Sequence, residues 1–155
     1  MSAVEIVGFR PELAPYFREL NVEWLEKYYR VEAIDEEVLS NPVEKVIEPG
    51  GDILFAILDG TVVGTVALKH DGGGVFEMTK MAVTEAAQGL GIGRRLLEAC
   101  VERYRQLAGS TLYLESQSRL KPALKLYESA GFQHPRRPKP SAYDRADVYM
   151  VYSGA

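Results

Sequence analysis

One cysteine, one tryptophan and two histidines are all that this chain of 155 residues carries of those three side chains. A lone Cys100 excludes an internal disulfide and a multi-cysteine metal site, and its place on the apolar face of a helical pattern reads as a core thiol. His70 and His134 stand apart without metal-ligand spacing, so no metal is expected. No apolar run approaches the ~18 residues that cross a bilayer. The opening MSAVEIVGFRPE has no basic head followed by an apolar stretch. The expectation is therefore no membrane and a cytoplasmic location. Positive charge is not in surplus either: a net charge of −4 argues against a broad basic face for nucleic acid. Hydrophobic residues at 46% and charged residues at 26% exclude a disordered chain, and the length suits a single domain over residues 1–155.

Periodicity gives the order of elements. Ala3 to Phe9 alternates as a strand, and Pro11 opens a helix whose apolar face is Leu13, Phe17, Leu20, Trp24 and Tyr28. A short helix is expected after Asp35, ending before Pro42. DILFAIL and TVVGTVALK, joined at Asp59-Gly60, read as a hairpin, and Val75 to Val83 as a third strand. A long helix follows, with Ile92, Leu96, Leu97, Cys100, Val101, Tyr104 and Leu107 on one face and Gly109 as its expected cap. TLYLES is a strand, Leu120 to Ala130 a helix closed by Gly131, and Asp147 to Tyr152 a last strand. The proline-rich stretch before that last strand is a loop, in which Arg136, Arg137 and Lys139 read as a solvated basic run. Strand, two helices, three strands, helix, strand, helix and one or two strands make a mixed α/β sandwich.

The segment Gln88-Gly89-Leu90-Gly91-Ile92-Gly93-Arg94-Arg95 leads into the long helix. A helix start leaves about four N–H groups unpaired and carries roughly half a positive charge. Three glycines keep side chains away from those groups, and two arginines there are unfavourable unless an anion joins them. The alternative is a plain turn with solvated arginines. A Walker A string is absent, and the dinucleotide pattern fails because its third glycine would fall at Arg94.

Gln88-Gly89-Leu90-Gly91-Ile92-Gly93 resembles the Arg/Gln-x-x-Gly-x-Gly/Ala pyrophosphate loop of the GNAT N-acetyltransferase superfamily. Met81-Ala82-Val83 before it, and Ala123-Leu124-Lys125-Leu126-Tyr127-Glu128-Ser129-Ala130-Gly131-Phe132 after it, are similar to further segments of that family. The resemblance covers nearly the whole chain. It implies a central, mostly antiparallel twisted sheet with helices on both faces, and acetyl-CoA as co-substrate. It also implies coenzyme contacts at Met81, Ala82, Val83, Gln88, Gly89, Leu90, Gly91, Ile92, Gly93, Arg94 and Tyr127. Where the family often has an asparagine, this chain has Gln117, whose longer amide would have to make the same contact.

Acetyl transfer to an amine needs a proton acceptor, a stabilised oxyanion and a proton for the leaving thiolate. Glu77 is the candidate base, and alternation puts it on the face of Met81 and Val83; the alternatives are a carboxylate paired with Lys80, one that only orients substrate, or a base supplied by a water chain. By its helical position Tyr127 is a core tyrosine, whereas the resemblance places it beside the coenzyme sulfur as the acid. By the same resemblance, the backbone N–H of Met81 or Val83 would hold the thioester oxygen. The resemblance, in which the first helices and the loop before the last strand shape the acceptor cleft, points to Trp24, Tyr28, Tyr143 and Arg145 as acceptor residues, with core packing the competing reading for Trp24 and Tyr28. Arg145 facing the cleft would clamp a carboxylate and make the acceptor amino-acid-like. The expected function is acetyl transfer to a primary amine of a small molecule. A protein lysine or N-terminal acceptor, or a non-catalytic acyl-CoA sensor, are the alternatives, and a homodimer is compatible by analogy of fold.

Overall fold

A computed structural model describes residues 4–136, 141–143 and 145–154. Arg137 and Lys139 of the basic run lie outside these; Arg136 is exposed. The elements run β1 (Val4–Val7), α1 (Ala14–Tyr28), α2 (Ala33–Ser40), β2 (Asp52–Leu58), β3 (Thr61–Gly72), β4 (Val75–Val83), α3 (Ile92–Gln106), β5 (Thr111–Ser116), α4 (Lys121–Ser129), β6 (Phe132–Gln133) and β7 (Val148–Tyr152). The strands form one seven-stranded sheet ordered β1-β2-β3-β4-β5-β7-β6. Every neighbouring pair is antiparallel except β4 and β5. Asp59 (φ 51°) and Gly60 (φ 83°) make the two-residue hairpin turn between β2 and β3.

Period-2 strands send alternate side chains to two cores. On one face α3 lays Ile92, Leu96, Leu97 and Cys100 against Val66, Leu68 and Met78 of the sheet. On the other, α1 and α2 lay Phe17, Leu25 and Leu39 against Ile53, Phe55 and Ala67. Phe17 and Phe55 are fully buried, so truncating either to alanine costs about 3–5 kcal/mol. The expected stripe on α1 holds for Leu13, Phe17 and Leu20 and then passes to Leu25. Tyr28 instead is 39% exposed.

Two local expectations change. The second helix begins at Ala33, before Asp35, because Glu32 and Asp35 close a capping box in which the Glu32 N–H donates to Asp35 Oδ2 at 2.9 Å. At the end of α3 the left-handed residue is Ala108 (φ 56°), not Gly109. Gly109 is needed for closeness: a Cβ there would lie 2.3 Å from the Tyr104 ring.

Candidate active site

Parallel pairing between β4 and β5 lasts only from Val75–Thr111 to Glu77–Tyr113. Beyond it β4 bends away at a bulge, where Lys80 adopts φ 57° and the register against β3 slips by one residue. β5 meanwhile continues along β7. The two strands open into a cleft of about 510 Å³, with Met78 to Val83 on one wall and Leu114 to Gln117 on the other.

The bulge also corrects the facing of Glu77. Lys69 opposes Glu77 and Ala67 opposes Thr79, but after the slip Thr65 opposes Ala82 and Gly64 opposes Val83. Glu77 therefore shares its face with Thr79 and Ala82, while Met81 and Val83 pack toward the α3 core. Strict alternation fails because one extra residue inverts every side chain that follows it.

Glu77 lines the cleft and is only 6% exposed. Its carboxyl has no hydrogen-bond partner among the described residues. Burial, reinforced by Asp71 and Glu115 and opposed by Lys69 and Lys80, pushes its pKa up to about 7. It does not pair with Lys80, whose Nζ lies 2.7 Å from Asp35 Oδ1 and 2.9 Å from Tyr143 Oη. Across the cleft Tyr127 packs edge-on to Phe132, and its hydroxyl has no hydrogen-bond partner among the described residues. Burial raises that phenol to about 12.

At the mouth of α3, Gly89 (φ 84°) and Gly91 (φ 77°) take left-handed angles, and a Cβ on either would meet nothing within 4 Å. The amides from Gly89 to Arg94 find no acceptor among the described residues; the first helical bond is Arg95 N–H to Gly91 O at 3.2 Å. The ledge is thus an open row of donors at the positive end of a helix. Leu90 is 59% exposed beside it, and Ile92 anchors the helix in the core. Gly93 is helical and would admit a side chain, with only Leu126 at 4.0 Å. Arg94 stays at the surface with Nη2 3.1 Å from Ser129 Oγ, whereas Arg95 turns to the Val4 carbonyl. Gln88 donates to the Val83 carbonyl at 3.3 Å.

The acceptor candidates meet at the opposite end. Trp24, Tyr28, Tyr143 and Arg145 all line the cleft. Arg145 does not present a free guanidinium: Nη1 lies 2.6 Å from Glu32 and 3.0 Å from Asp35, and Nη2 is 2.8 Å from Asp35. Burial alone would raise the Asp35 carboxyl, but hydrogen bonds from Arg145 and Lys80 hold it at about 2. Burial pulls the Lys80 ammonium below the usual lysine range, against the support of Asp35. The Lys80 ammonium also lies over the Tyr143 ring, 4.4 Å from its centroid, as a cation–π contact. Gln117 lines the cleft too, yet its amide already accepts from Tyr29 Oη at 2.8 Å and donates to the Arg145 carbonyl. Sequence reading missed Glu32, Asp35, Tyr29 and Lys80 as builders of this end; the Glu32-x-x-Asp35 box was the one signal available.

Cys100 is buried, and burial drives its thiol far above the usual range, in keeping with a core role. Among the described residues no group of three or more His, Cys, Asp or Glu is placed to hold a metal ion, and no helix is long and apolar enough to cross a membrane.

The sheet is thus split between two parallel strands, with a row of amides that find no acceptor among the described residues at one end of the split. The Acetyltransferase (GNAT) family description matches residues 10–132. An uncharacterised N-acetyltransferase of Schizosaccharomyces pombe is 32% identical over 138 residues, covering 86% of this chain and 82% of that protein. N-acetylaspartate synthetase of Rattus norvegicus is 39% identical over 92 residues, 56% of this chain but only 29% of that protein. An acetyltransferase of the same family from Staphylococcus aureus superposes with a TM-score of 0.86 at 20% identity, covering 97% of this chain and 98% of that one. The chain belongs to the GNAT acetyltransferase family. It is an N-acetyltransferase, with acetyl-CoA as the acetyl donor.

Proposed function

We propose that the protein moves the acetyl group of acetyl-CoA onto a primary amine of a small acceptor by direct attack of the amine on the thioester. The observation that carries this is Glu77: a buried carboxyl in the cleft wall, without a hydrogen-bond partner among the described residues and with a pKa near 7. Such a group ionises near neutral pH and takes a proton readily. In this reading the diphosphate lies on the amides of Gly89 to Arg94, with Gln88 and Arg94 beside it. The thioester oxygen meets the backbone N–H of Met81 or Val83. The amine attacks, Glu77 accepts its proton, the C–S bond breaks, and Tyr127 protonates the departing thiolate. Ala82, which is small, shares the face of Glu77, and both line the cleft.

Trp24, Tyr28 and Tyr143 would wall the acceptor. An amino-acid-like acceptor would have to use the N–H groups of Arg145 left over from Glu32 and Asp35. The likeness to N-acetylaspartate synthetase, whose named product is an acetylated amino acid, favours that acceptor class. The test is thiol release from acetyl-CoA over a panel of alkyl amines, amino acids and peptides. With the preferred amine, E77Q is expected to lower kcat by about 10²–10⁴-fold without weakening coenzyme A binding, and Y127F to lower it by less. Full activity in E77Q would end the proposal for the base, and turnover of peptides alone would replace the small acceptor.

A further inference from the structure

Glu77 is the middle of a lateral row. Lys69 opposes it on β3, and Tyr113 opposes it on β5. Residues opposed across a ladder point to the same face, so these three side chains are immediate neighbours. Asp71, two positions beyond Lys69, ties the ends of the row together. Its Oδ2 accepts from Tyr113 Oη at 2.5 Å, and its Oδ1 lies 3.5 Å from Lys69 Nζ. The side chains of Lys69 and Asp71 are 35% and 28% exposed, while Glu77 is almost wholly buried. The row thus runs from solvent to the reacting end of the cleft.

We propose that Lys69 and Asp71, with Asp71 fixed by Tyr113, are positioning residues for Glu77: an oppositely charged pair at the solvent edge whose balance adjusts, on top of burial, the charge state of the carboxyl. This rests on Glu77 being the base. Other charged and titratable groups around it have different duties. Lys80 is already held by Asp35, and Asp35 is shared with Arg145. Tyr143 donates no charge and bonds Lys80. Glu115 adds a second negative charge from β5, in the same sense as Asp71. Lys69 and Asp71 are the two whose opposite charges can be changed one at a time without opening the buried network around Asp35.

The experiment follows the carboxyl ¹³C signal of Glu77 through a pH titration of the full chain without ligand, assigned by its loss in E77Q. Removing the cation in K69M moves the midpoint up, and removing the anion in D71N moves it down, each by about half a pH unit. Both displacements shrink in 1 M salt, because the pair lies at the solvent edge. The D71N step is smaller in a Y113F background, where Asp71 has lost its anchor. A purely structural role for the pair would give no opposite displacements. An unmoved midpoint, or one moving the same way in both variants, overturns the proposal. In parallel, the acid limb of kcat/KM is measured by thiol release with the amine preferred in the panel. If the ¹³C midpoint moves as stated while that limb stays fixed, the positioning role stands and the assignment of Glu77 as base falls.

Discussion

The two ends of the cleft handle polar groups in opposite ways. At the α3 end, the amides from Gly89 to Arg94 have no acceptor among the described residues, and a Cβ on Gly89 or Gly91 would meet nothing within 4 Å. At the Arg145 end, two cations and two carboxylates, Lys80, Arg145, Asp35 and Glu32, are paired with one another, and Asp35 is fully buried. The first end suits the anionic ligand proposed for it. The second is a finished structural joint, tying α2, the β4 bulge and the loop before β7 into one wall. An unsatisfied donor row is tolerable because it is exposed to water, whereas an unsatisfied buried cation is not.

The sharpest way to break that contrast is D35A. It leaves Lys80 and Arg145 without their shared anion and is expected to destabilise the fold by about 3–5 kcal/mol, read from urea unfolding. Coenzyme A affinity of the folded protein should be unchanged. G91V does the converse. A β-branched residue at φ 77° is strained by about 1–3 kcal/mol and fills the approach to the amides. Calorimetry should show coenzyme A binding at least about tenfold weaker.

Acid sharpens the comparison further. The pKa of Asp35 is lowered from 3.8 to about 2 on folding, so its stabilisation is present above pH ~4 and is lost as pH falls toward 2. This amounts to on the order of 2 kcal/mol. Glu77 acts in the other sense. Its pKa rises from 4.5 to about 7, so folding binds a proton and stability declines as pH climbs through that interval. Urea midpoints measured from pH 2 to 8 should therefore fall at both ends, and E77Q should remove only the decline above pH ~5. The smallest effect is expected for R94A. An exposed cation next to a bound diphosphate is worth about 1 kcal/mol, roughly fivefold in coenzyme affinity, and less in high salt.

Legibility followed the distance over which each feature is built. The hairpin at Asp59-Gly60, the amphipathic α3 and the glycine ledge are local, and short-range pattern was enough to find them. The facing of Glu77 was misread because a bulge inverts alternation and leaves no mark in a run such as Glu-Met-Thr-Lys-Met. Gly109 was misread as a left-handed cap because only packing reveals the Tyr104 ring lying across it. Arg145 looked free because its partners stand 110 and 113 residues away.

By itself, then, the sequence determined the order of elements, the two-faced sheet and the ledge of donors, since each depends on residues within a turn or two of one another. Which cations remain available to a ligand, which way Glu77 points and how far its proton affinity rises were decided only by the tertiary structure. Those properties depend on desolvation and on charges brought together from distant parts of the chain.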